Sequence, residues 1–154
     1  MTIELNWQTK SFSELSTDEL YDLLKLRIDV FVVEQTCYYP DLDDIDRMPN
    51  VYHHFAYEKG EMVGYCRLIG PDIVYPKESA IGRVVVHQNH RGKSLGVTLM
   101  KSALSEVKQR WPQCTCHISA QQHLQAFYQN LGFVQITEMY LEDDIPHIGM
   151  RLTY

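Results

Sequence analysis

Apolar residues at helical spacing mark the first clear element of the chain. They recur every three or four residues, at Leu20, Leu23, Leu24, Ile28 and Phe31. Ser16 and Glu19 precede them as a capping box, in which the serine covers free amides and the glutamate reaches back. The pattern predicts an amphipathic helix. Arg27 falls on the apolar face of this helix, either with its head reaching water or paired with a nearby carboxylate.

Alternating and β-branched stretches predict strands over residues 51–58 and 61–69, joined by a tight hairpin at Lys59-Gly60. Further strands are predicted over 80–87, 115–121, 133–140 and 147–152. Helical periodicity predicts helices over 94–110 and 123–131, the first stopped by Pro112 and the second capped by Gly132. This order indicates an α/β domain with a central mixed β-sheet flanked by helices. A length of 154 residues predicts one domain, 1–154.

The charge of the chain excludes some partners and favours others. Its 14 basic and 20 acidic residues give a formal net charge of −6, which disfavours nucleic acid as a partner. No apolar run approaches the roughly 18 residues of a membrane span. The N-terminus lacks the pattern of a secretory signal, so a cytoplasmic protein is expected. Only residues 51–100 are net positive, with six basic and four acidic groups, so a small anionic ligand is expected to bind there.

Neither the cysteines nor the acidic loop predicts a metal site. Cys114 and Cys116 lack the second ligand pair of a zinc site nearby, and the four cysteines are expected to be reduced. The loop over residues 41–46 has Asp46 where a calcium loop needs glycine, and Tyr52 where it needs glutamate.

A basic turn leads directly into the predicted helix 94–110. Its sequence is Arg91-Gly92-Lys93-Ser94-Leu95-Gly96. Free amides at a helix start attract phosphates, and Arg91 and Lys93 add positive charge. The two glycines would let a ligand approach the backbone closely. From these residues alone, an anion-binding loop and an ordinary basic turn are both open.

The same turn resembles the acetyl-CoA pyrophosphate loop of GNAT-type N-acetyltransferases, usually Gln/Arg-x-x-Gly-x-Gly/Ala. Downstream, Phe127-Tyr128-Gln-Asn-Leu-Gly132-Phe133 is similar to that family's Phe-Tyr-x-x-x-Gly-Phe. Segments 31–35, 81–86, 120–128 and 145–150 resemble the ElaA-type subgroup, so the resemblance covers essentially the whole chain. Two positions depart from the general pattern: Ser94 replaces the middle loop glycine, and Gln121 stands where many members have asparagine.

The resemblance implies a GNAT acyl-CoA N-acyltransferase fold with acetyl-CoA as cosubstrate. The implied cosubstrate site comprises the backbone of three strand residues, the loop and two further side chains: Val84, Val85, Val86, Arg91, Gly92, Lys93, Ser94, Leu95, Gly96, Gln121 and Tyr128. A backbone amide at Val85 or Val86 would polarise the thioester carbonyl. The Tyr128 hydroxyl would protonate the departing thiolate. Glu34, His54 and His147 are the candidate bases for the amine, and a water relay is the alternative to all three.

The amine acceptor, a small molecule or a peptide, is not identified by the sequence. Acidic residues over 41–46 and 142–144 predict a cationic acceptor if they border the cleft, and solvated surface if they do not. A non-catalytic acyl-CoA-binding module of the same fold remains an alternative function. Arg27-Ile-Asp-Val-Phe31 is also similar to acyl-homoserine lactone synthases, but the loop at 91–96 favours CoA. A homodimer is left open.

Overall fold

One mixed β-sheet of eight strands organises the part of the chain that the computed structural model describes, residues 4–154. In chain order the strands are β1 (Asn6–Ser11), β2 (Val51–Glu58), β3 (Glu61–Ile69), β4 (Ser79–Val86), β5 (Cys116–Gln121), β6 (Val134–Gln135), β7 (Tyr140–Glu142) and β8 (Ile145–Leu152). Across the sheet the order is β1-β2-β3-β4-β5-β8-β6, and β7 also pairs with β8. The helices are α1 (Thr17–Arg27), α2 (Leu95–Arg110) and α3 (Gln125–Gln129). The mixed α/β architecture expected from the sequence is confirmed.

Helix α1 begins at the predicted capping box. The Ser16 side chain accepts from the Glu19 amide at 3.0 Å, and the Glu19 carboxylate accepts from the Ser16 amide at 2.8 Å. Beyond Arg27 the chain continues in wider, π-helical turns over Ile28–Glu34. The buried residues of this segment pack on one face of the sheet against Phe55, Met62, Tyr65 and Val85.

Helix α2 covers the opposite face of the sheet. Four of its apolar residues, Leu99, Met100, Ala103 and Val107, are fully buried and recur at helical spacing. They share a core with side chains from β3, β5 and β8. The sheet is therefore a central layer between two apolar cores, one under α1 and the other under α2. No helix within residues 4–154 has the length and apolar character to cross a membrane.

Three elements differ from the sequence prediction. Strand β1 was not predicted, because Trp7 is its one large apolar residue; its backbone pairs antiparallel with β2 at the sheet edge. The predicted strand over 133–140 is two short strands, β6 and β7, which pair with different parts of β8. The predicted helix over 123–131 is a 3₁₀ turn followed by the five residues of α3. Gly132, with φ of +105°, follows α3 as predicted.

Strands β4 and β5 are parallel neighbours that are paired at their N-terminal ends and diverge beyond them. They pair only at Ser79 with Cys116 and at Ala80 with His117. No other strand of the described chain takes the place of β5 along the rest of β4. The backbone of β4 beyond Ala80 therefore has one edge free, facing the gap between the two strands.

The backbone of β4 is irregular where this gap opens. The pairing register with β3 shifts between Tyr65 and Arg67. Arg83 has φ of +53°, a left-handed conformation that is costly for any residue with a side chain. Such strain concentrates at sites where a strand must bend or present a side chain in a set direction. The register shift and the left-handed Arg83 therefore both lie on the strand that borders the gap.

Candidate active site

The gap between β4 and β5 is a cleft of about 300 Å³. Side chains from both strands, from α3 and from β8 line it, among them Val84, Gln121, Tyr128 and His147. The fold thus brings candidate site residues that are up to 63 positions apart in the sequence into one cleft. Gln121 lies opposite His147 in the β5–β8 pairing, and its side-chain amide is 3.4 Å from the Gln35 oxygen.

Tyr128 lies in the wall of this cleft, on α3. It is 6% exposed, and its ring makes edge contacts with Phe127 and Phe133 at centroid distances of 5.0 and 5.9 Å. Burial raises the pKa of the Tyr128 phenol well above its usual value. A tyrosine hydroxyl is protonated at neutral pH even at its usual pKa, and burial keeps Tyr128 in this state, which a proton donor requires.

His147 presents a defined ring nitrogen. Its Nδ1 donates to the Ile145 carbonyl at 2.7 Å, because a carbonyl can only accept. The neutral ring therefore carries its lone pair on Nε2, which lies 3.4 Å from a carboxylate oxygen of Glu142. His147 is 7% exposed and lines the cleft. Of the three candidate bases, it is the one the structure places in the same cleft as Tyr128.

The turn at 91–96 precedes α2 as predicted. Arg91, Gly92, Lys93 and Ser94 are exposed, whereas Leu95 is buried beside Ala56 and Val63 and anchors the helix start. A helix start leaves its first amides without partners inside the helix. The exposed turn, two cations and these amides together form a surface suited to a phosphate group.

Two residues of this turn have left-handed backbone. Gly92 has φ of +78°, and the space where a side chain would stand is empty to 4 Å. Ser94 has φ of +59°, so the turn tolerates the strain that serine brings at the family's middle glycine position. A methyl group added at Gly96 would lie 3.6 Å from the Phe127 ring, so the helix start approaches α3 closely.

Val84, Val85 and Val86 follow the strained Arg83 in β4. Val85 is buried in the core under α1, while Val84 and Val86 pack toward the core under α2. Their backbone runs along the free edge of β4. An extended ligand could pair with this edge as an added strand.

Glu34 faces the turn at 91–96 rather than the cleft. Its carboxylate accepts from Arg91 Nη1 at 2.7 Å, and Arg91 Nε also donates to the Val86 carbonyl at 3.3 Å. Glu34 lines a separate depression between α1 and the segment that follows β4. The structure therefore does not bring Glu34 together with Tyr128 and His147, and its contacts indicate that it positions Arg91.

His54 lies under α2, away from the cleft. Its ring stacks on Trp7, its Nδ1 is 2.7 Å from the Thr9 hydroxyl, and its Nε2 is 2.9 Å from the Ser102 hydroxyl. The residue is 1% exposed, and burial lowers its pKa to about 4. Both ring nitrogens are occupied by structural hydrogen bonds, so His54 is removed from the candidate bases.

The lowered pKa of the buried His54 should make the free energy of unfolding depend on pH. Between pH 6.5 and 4 the unfolded chain binds a proton at His54 that the folded chain does not. This group therefore lowers the free energy of unfolding by about 2–3 kcal/mol as the pH is lowered through this range. The expected result is that His54→Leu is less stable than wild type at pH 7, with the difference shrinking by pH 4.5. Urea unfolding at both pH values measures it, and carboxylate titration cancels in the comparison. An unchanged difference would refute the assignment.

The sequence did not predict the buried network beside the cleft. Arg27 is fully buried and donates to the carboxylates of Asp41 and Asp46, each at 2.8 Å. Of the two alternatives that the sequence left open for Arg27, the structure shows pairing with carboxylates. Asp46 also accepts from Arg67, and Asp41 from Arg83. The signals in the sequence were an arginine on an apolar helix face and four aspartates in one short loop.

This network corrects the electrostatic expectation for residues 41–46. The loop is not a free acidic surface, because its four aspartates are paired with four arginines. The pairing arginines are Arg27, Arg47, Arg67 and Arg83. We therefore no longer expect this loop to attract a cationic acceptor. Glu142 and Asp143 do line the cleft, as expected for the segment before β8.

One further group, not singled out by the sequence, meets the spacing of metal ligands within residues 4–154: Glu61, His87 and His90. Protein groups already contact these rings. His90 lies 3.2 Å from Glu58 and 3.1 Å from Glu61, one carboxylate at each ring nitrogen. His87 Nδ1 accepts from the Asn89 amide at 3.1 Å. These contacts tie the β2–β3 hairpin to the segment before the turn at 91–96.

Comparison with known proteins agrees with this arrangement. Residues 29–154 match the family described as Acetyltransferase (GNAT) domain. Protein ElaA of Escherichia coli is 43% identical over 146 residues, 95% of either chain, and its crystal structure superposes with a TM-score of 0.92 at 41% identity, covering 97% of this chain and all of that one.

Two other solved structures extend the comparison. An acyl-CoA N-acyltransferase from Pseudomonas aeruginosa has a TM-score of 0.93 at 45% identity, covering 97% of this chain and 100% of that one. An aminoglycoside 6'-N-acetyltransferase complexed with coenzyme A has a TM-score of 0.70 at 17% identity, covering 94% and 95%, a likeness of fold alone. The fold is the GNAT acyl-CoA N-acyltransferase fold, and the chain belongs to the GNAT acetyltransferase family, with ElaA among its similar members.

Proposed function

We propose that this chain is an N-acetyltransferase that moves the acetyl group of acetyl-CoA to a primary amine by direct attack in a ternary complex. The observation that carries the proposal is the cleft between the diverging β4 and β5, which Tyr128 and His147 both line. A protonated donor and a base with a defined lone pair are the two proton-handling groups that the reaction needs.

The cosubstrate would lie across the free edge of β4. Its pyrophosphate would sit on the turn at 91–96, against the first amides of α2 and the cations Arg91 and Lys93. The pantetheine arm would pair with the backbone of Val84–Val86 and bring the thioester to the cleft. A relative of the same fold was solved with coenzyme A, which supports this class of cosubstrate.

The chemistry follows from the groups around the thioester. His147 Nε2, directly or through water, takes a proton from the amine, whose nitrogen then forms a bond to the thioester carbon. A backbone amide at Val85 or Val86 stabilises the developing negative charge on oxygen. The carbon–sulfur bond breaks, and Tyr128 donates its proton to the thiolate. The products are the acetylated amine and the CoA thiol, and the proton released by the amine balances the one that Tyr128 supplies.

Arg91→Glu should weaken acetyl-CoA binding by at least about 10–100-fold, the scale of losing one charge-assisted contact. The new carboxylate would face both the pyrophosphate and Glu34, which contacts Arg91 at 2.7 Å in the wild type. Calorimetric titration with acetyl-CoA measures the change, and added salt should reduce it.

Lys101→Glu is the matched control, because it makes the same charge change at an exposed position of α2 outside the turn. Its acetyl-CoA affinity should stay within about twofold of wild type, as expected for an exposed charge far from the ligand. Equal affinities for wild type and Arg91→Glu would place the cosubstrate elsewhere.

A further inference from the structure

Two hydrogen-bond acceptors of the cleft lie side by side without a donor of their own. His147 Nε2 is 3.4 Å from Oε2 of Glu142, and both residues line the cleft. The proton of the neutral His147 ring is on Nδ1, which donates to the Ile145 carbonyl at 2.7 Å. Nε2 and the carboxylate oxygen then both present lone pairs to each other. A ligand that offers N–H donors to both atoms would remove this mismatch.

The Glu142 carboxylate is held through its other oxygen. Its Oε1 accepts from the Ser119 hydroxyl at 3.1 Å. Because Ser119 has a single hydroxyl proton, the hydrogen bond between Ser119 and Tyr140 must be donated by the Tyr140 hydroxyl. The Tyr140 ring also stacks on the His147 ring, at a centroid distance of 6.2 Å. Side chains from β5 and β7 therefore orient both acceptors.

The charge around these acceptors favours a cation. Within residues 4–154, His147 is the one basic group within 4 Å of the Glu142 carboxylate. The two arginines that line the cleft, Arg67 and Arg83, are both paired with aspartates. Asp143 lines the cleft as well and adds a second carboxylate. While His147 is neutral, the negative charge of Glu142 is therefore free to attract a positively charged donor.

A ligand can reach the acceptor pair through Glu142. The Glu142 side chain is 48% exposed, so its carboxylate is open to an incoming group. An amine that contacts Oε2 is also within reach of His147 Nε2, because these two atoms are only 3.4 Å apart. A primary ammonium group has three N–H donors, enough to bind both atoms at once. The cleft volume of about 300 Å³ is at the small end of ligand pockets and suits such a compact group.

We infer that Glu142 binds the ammonium group of the acceptor, with one N–H donating to Glu142 Oε2 and another to His147 Nε2. The inference rests on the proposed acetyl transfer and names its substrate class, an amine that arrives protonated. His147 takes the proton that points at Nε2, and the amine nitrogen regains the lone pair with which it bonds to the thioester carbon. The imidazolium that forms remains beside the Glu142 carboxylate. Two sources share this chemistry: a small free amine and the lysine side chain of a peptide.

The test measures steady-state kinetics of Glu142→Gln, which keeps the size of the side chain but removes its charge. The acceptors are benzylamine, alaninamide and Nα-acetyl-lysinamide, and the variants are compared on the one with the highest wild-type kcat/KM. The amine KM should rise by roughly 10–100-fold, the scale of losing a charge-assisted hydrogen bond. The acetyl-CoA KM should stay near the wild-type value. A higher wild-type kcat/KM for Nα-acetyl-lysinamide than for benzylamine would favour the lysine source.

Three further variants separate recognition of the ammonium from a structural role. Glu142→Asp keeps the charge on a shorter side chain and should restore part of the lost amine affinity. Ser119→Ala removes the donor to Glu142 Oε1 and should raise the amine KM by only a few-fold, about the effect of one neutral hydrogen bond. Glu138→Gln is the matched control, because it makes the same charge change at an exposed position outside the cleft. It should behave as wild type.

The pH dependence of the wild type tests the same inference without any variant. With total amine as the concentration, kcat/KM should fall above the pKa of the amine, because the free base carries no charge for Glu142. In Glu142→Gln this fall should be smaller.

Two outcomes would overturn the inference and leave acetyl transfer in place: equal amine KM values for Glu142→Gln and Glu138→Gln, or a wild-type kcat/KM that keeps rising through the pKa of the amine. A wild type that binds acetyl-CoA but acetylates no amine would overturn the proposed function, and the inference with it.

Discussion

Replacing Tyr128 by phenylalanine is expected to lower kcat for acetyl transfer by roughly 10²–10⁴-fold, the usual contribution of a general acid. The substitution removes only the hydroxyl from a ring packed against Phe127 and Phe133. Acetyl-CoA affinity should therefore stay near the wild-type value. Steady-state kinetics with calorimetric binding separates the two quantities, because loss of a proton donor acts on turnover while loss of packing acts on both.

Tyr57→Phe is the matched control for this prediction. Tyr57 lies on β2, outside the cleft, and its hydroxyl donates to Asp22 at 2.6 Å. Losing that hydroxyl should reduce stability slightly and leave kcat unchanged. If Tyr128→Phe behaves like Tyr57→Phe, then Tyr128 is only a core aromatic and another group protonates the thiolate.

Arg27→Met should destabilise the fold by about 3–5 kcal/mol, the cost of removing one partner from a buried ion pair. The side chains of Arg27 and Asp41 are both fully buried, and Asp46 is nearly so. Methionine fills much of the space but leaves these carboxylates with fewer donors. For a chain of this length the melting temperature should fall by about 10 °C or more, as measured by thermal unfolding followed by circular dichroism.

An exposed ion pair on the same helix provides the comparison. Lys25 contacts Asp29 at 2.6 Å, and both side chains are more than half exposed. Lys25→Met should change stability by no more than about 0.5 kcal/mol, as surface pairs usually do. Equal melting temperatures for the Arg27→Met and Lys25→Met proteins would mean that the buried network contributes little to the fold.

Local patterns in the sequence predicted the parts of the fold that local physics determines. The capping box at Ser16, the apolar stripe of α2 and the break at Gly132 each depend on residues within a few positions, and each is present in the structure. The strand–turn–helix unit around Arg91 was predicted in the same way. The roles proposed for the turn at 91–96 and for Tyr128 came from motif resemblance to the family that matches residues 29–154.

These local patterns could not predict contacts between segments that are far apart in the sequence. Strand β1 is defined by its pairing with β2, forty residues later, because its own side chains alternate only weakly. His54 and His147 are both strand histidines in the sequence, and only the tertiary arrangement places one under α2 and the other in the cleft. The aspartates of residues 41–46 look solvated in the sequence, and only the tertiary arrangement places Arg67 of β3 and Arg83 of β4 beside them.

Detection of acetylated amine by mass spectrometry, together with release of the CoA thiol, decides most directly between an N-acetyltransferase and a protein that only binds acyl-CoA. Wild type incubated with acetyl-CoA and a panel of primary amines should release one thiol for each acetylated amine. The rate of thiol release should fall in Tyr128→Phe and stay at the wild-type value in Tyr57→Phe. Binding of acetyl-CoA at the turn of residues 91–96, with no thiol released above background for any amine, would contradict the assignment of acetyl transfer to this cleft.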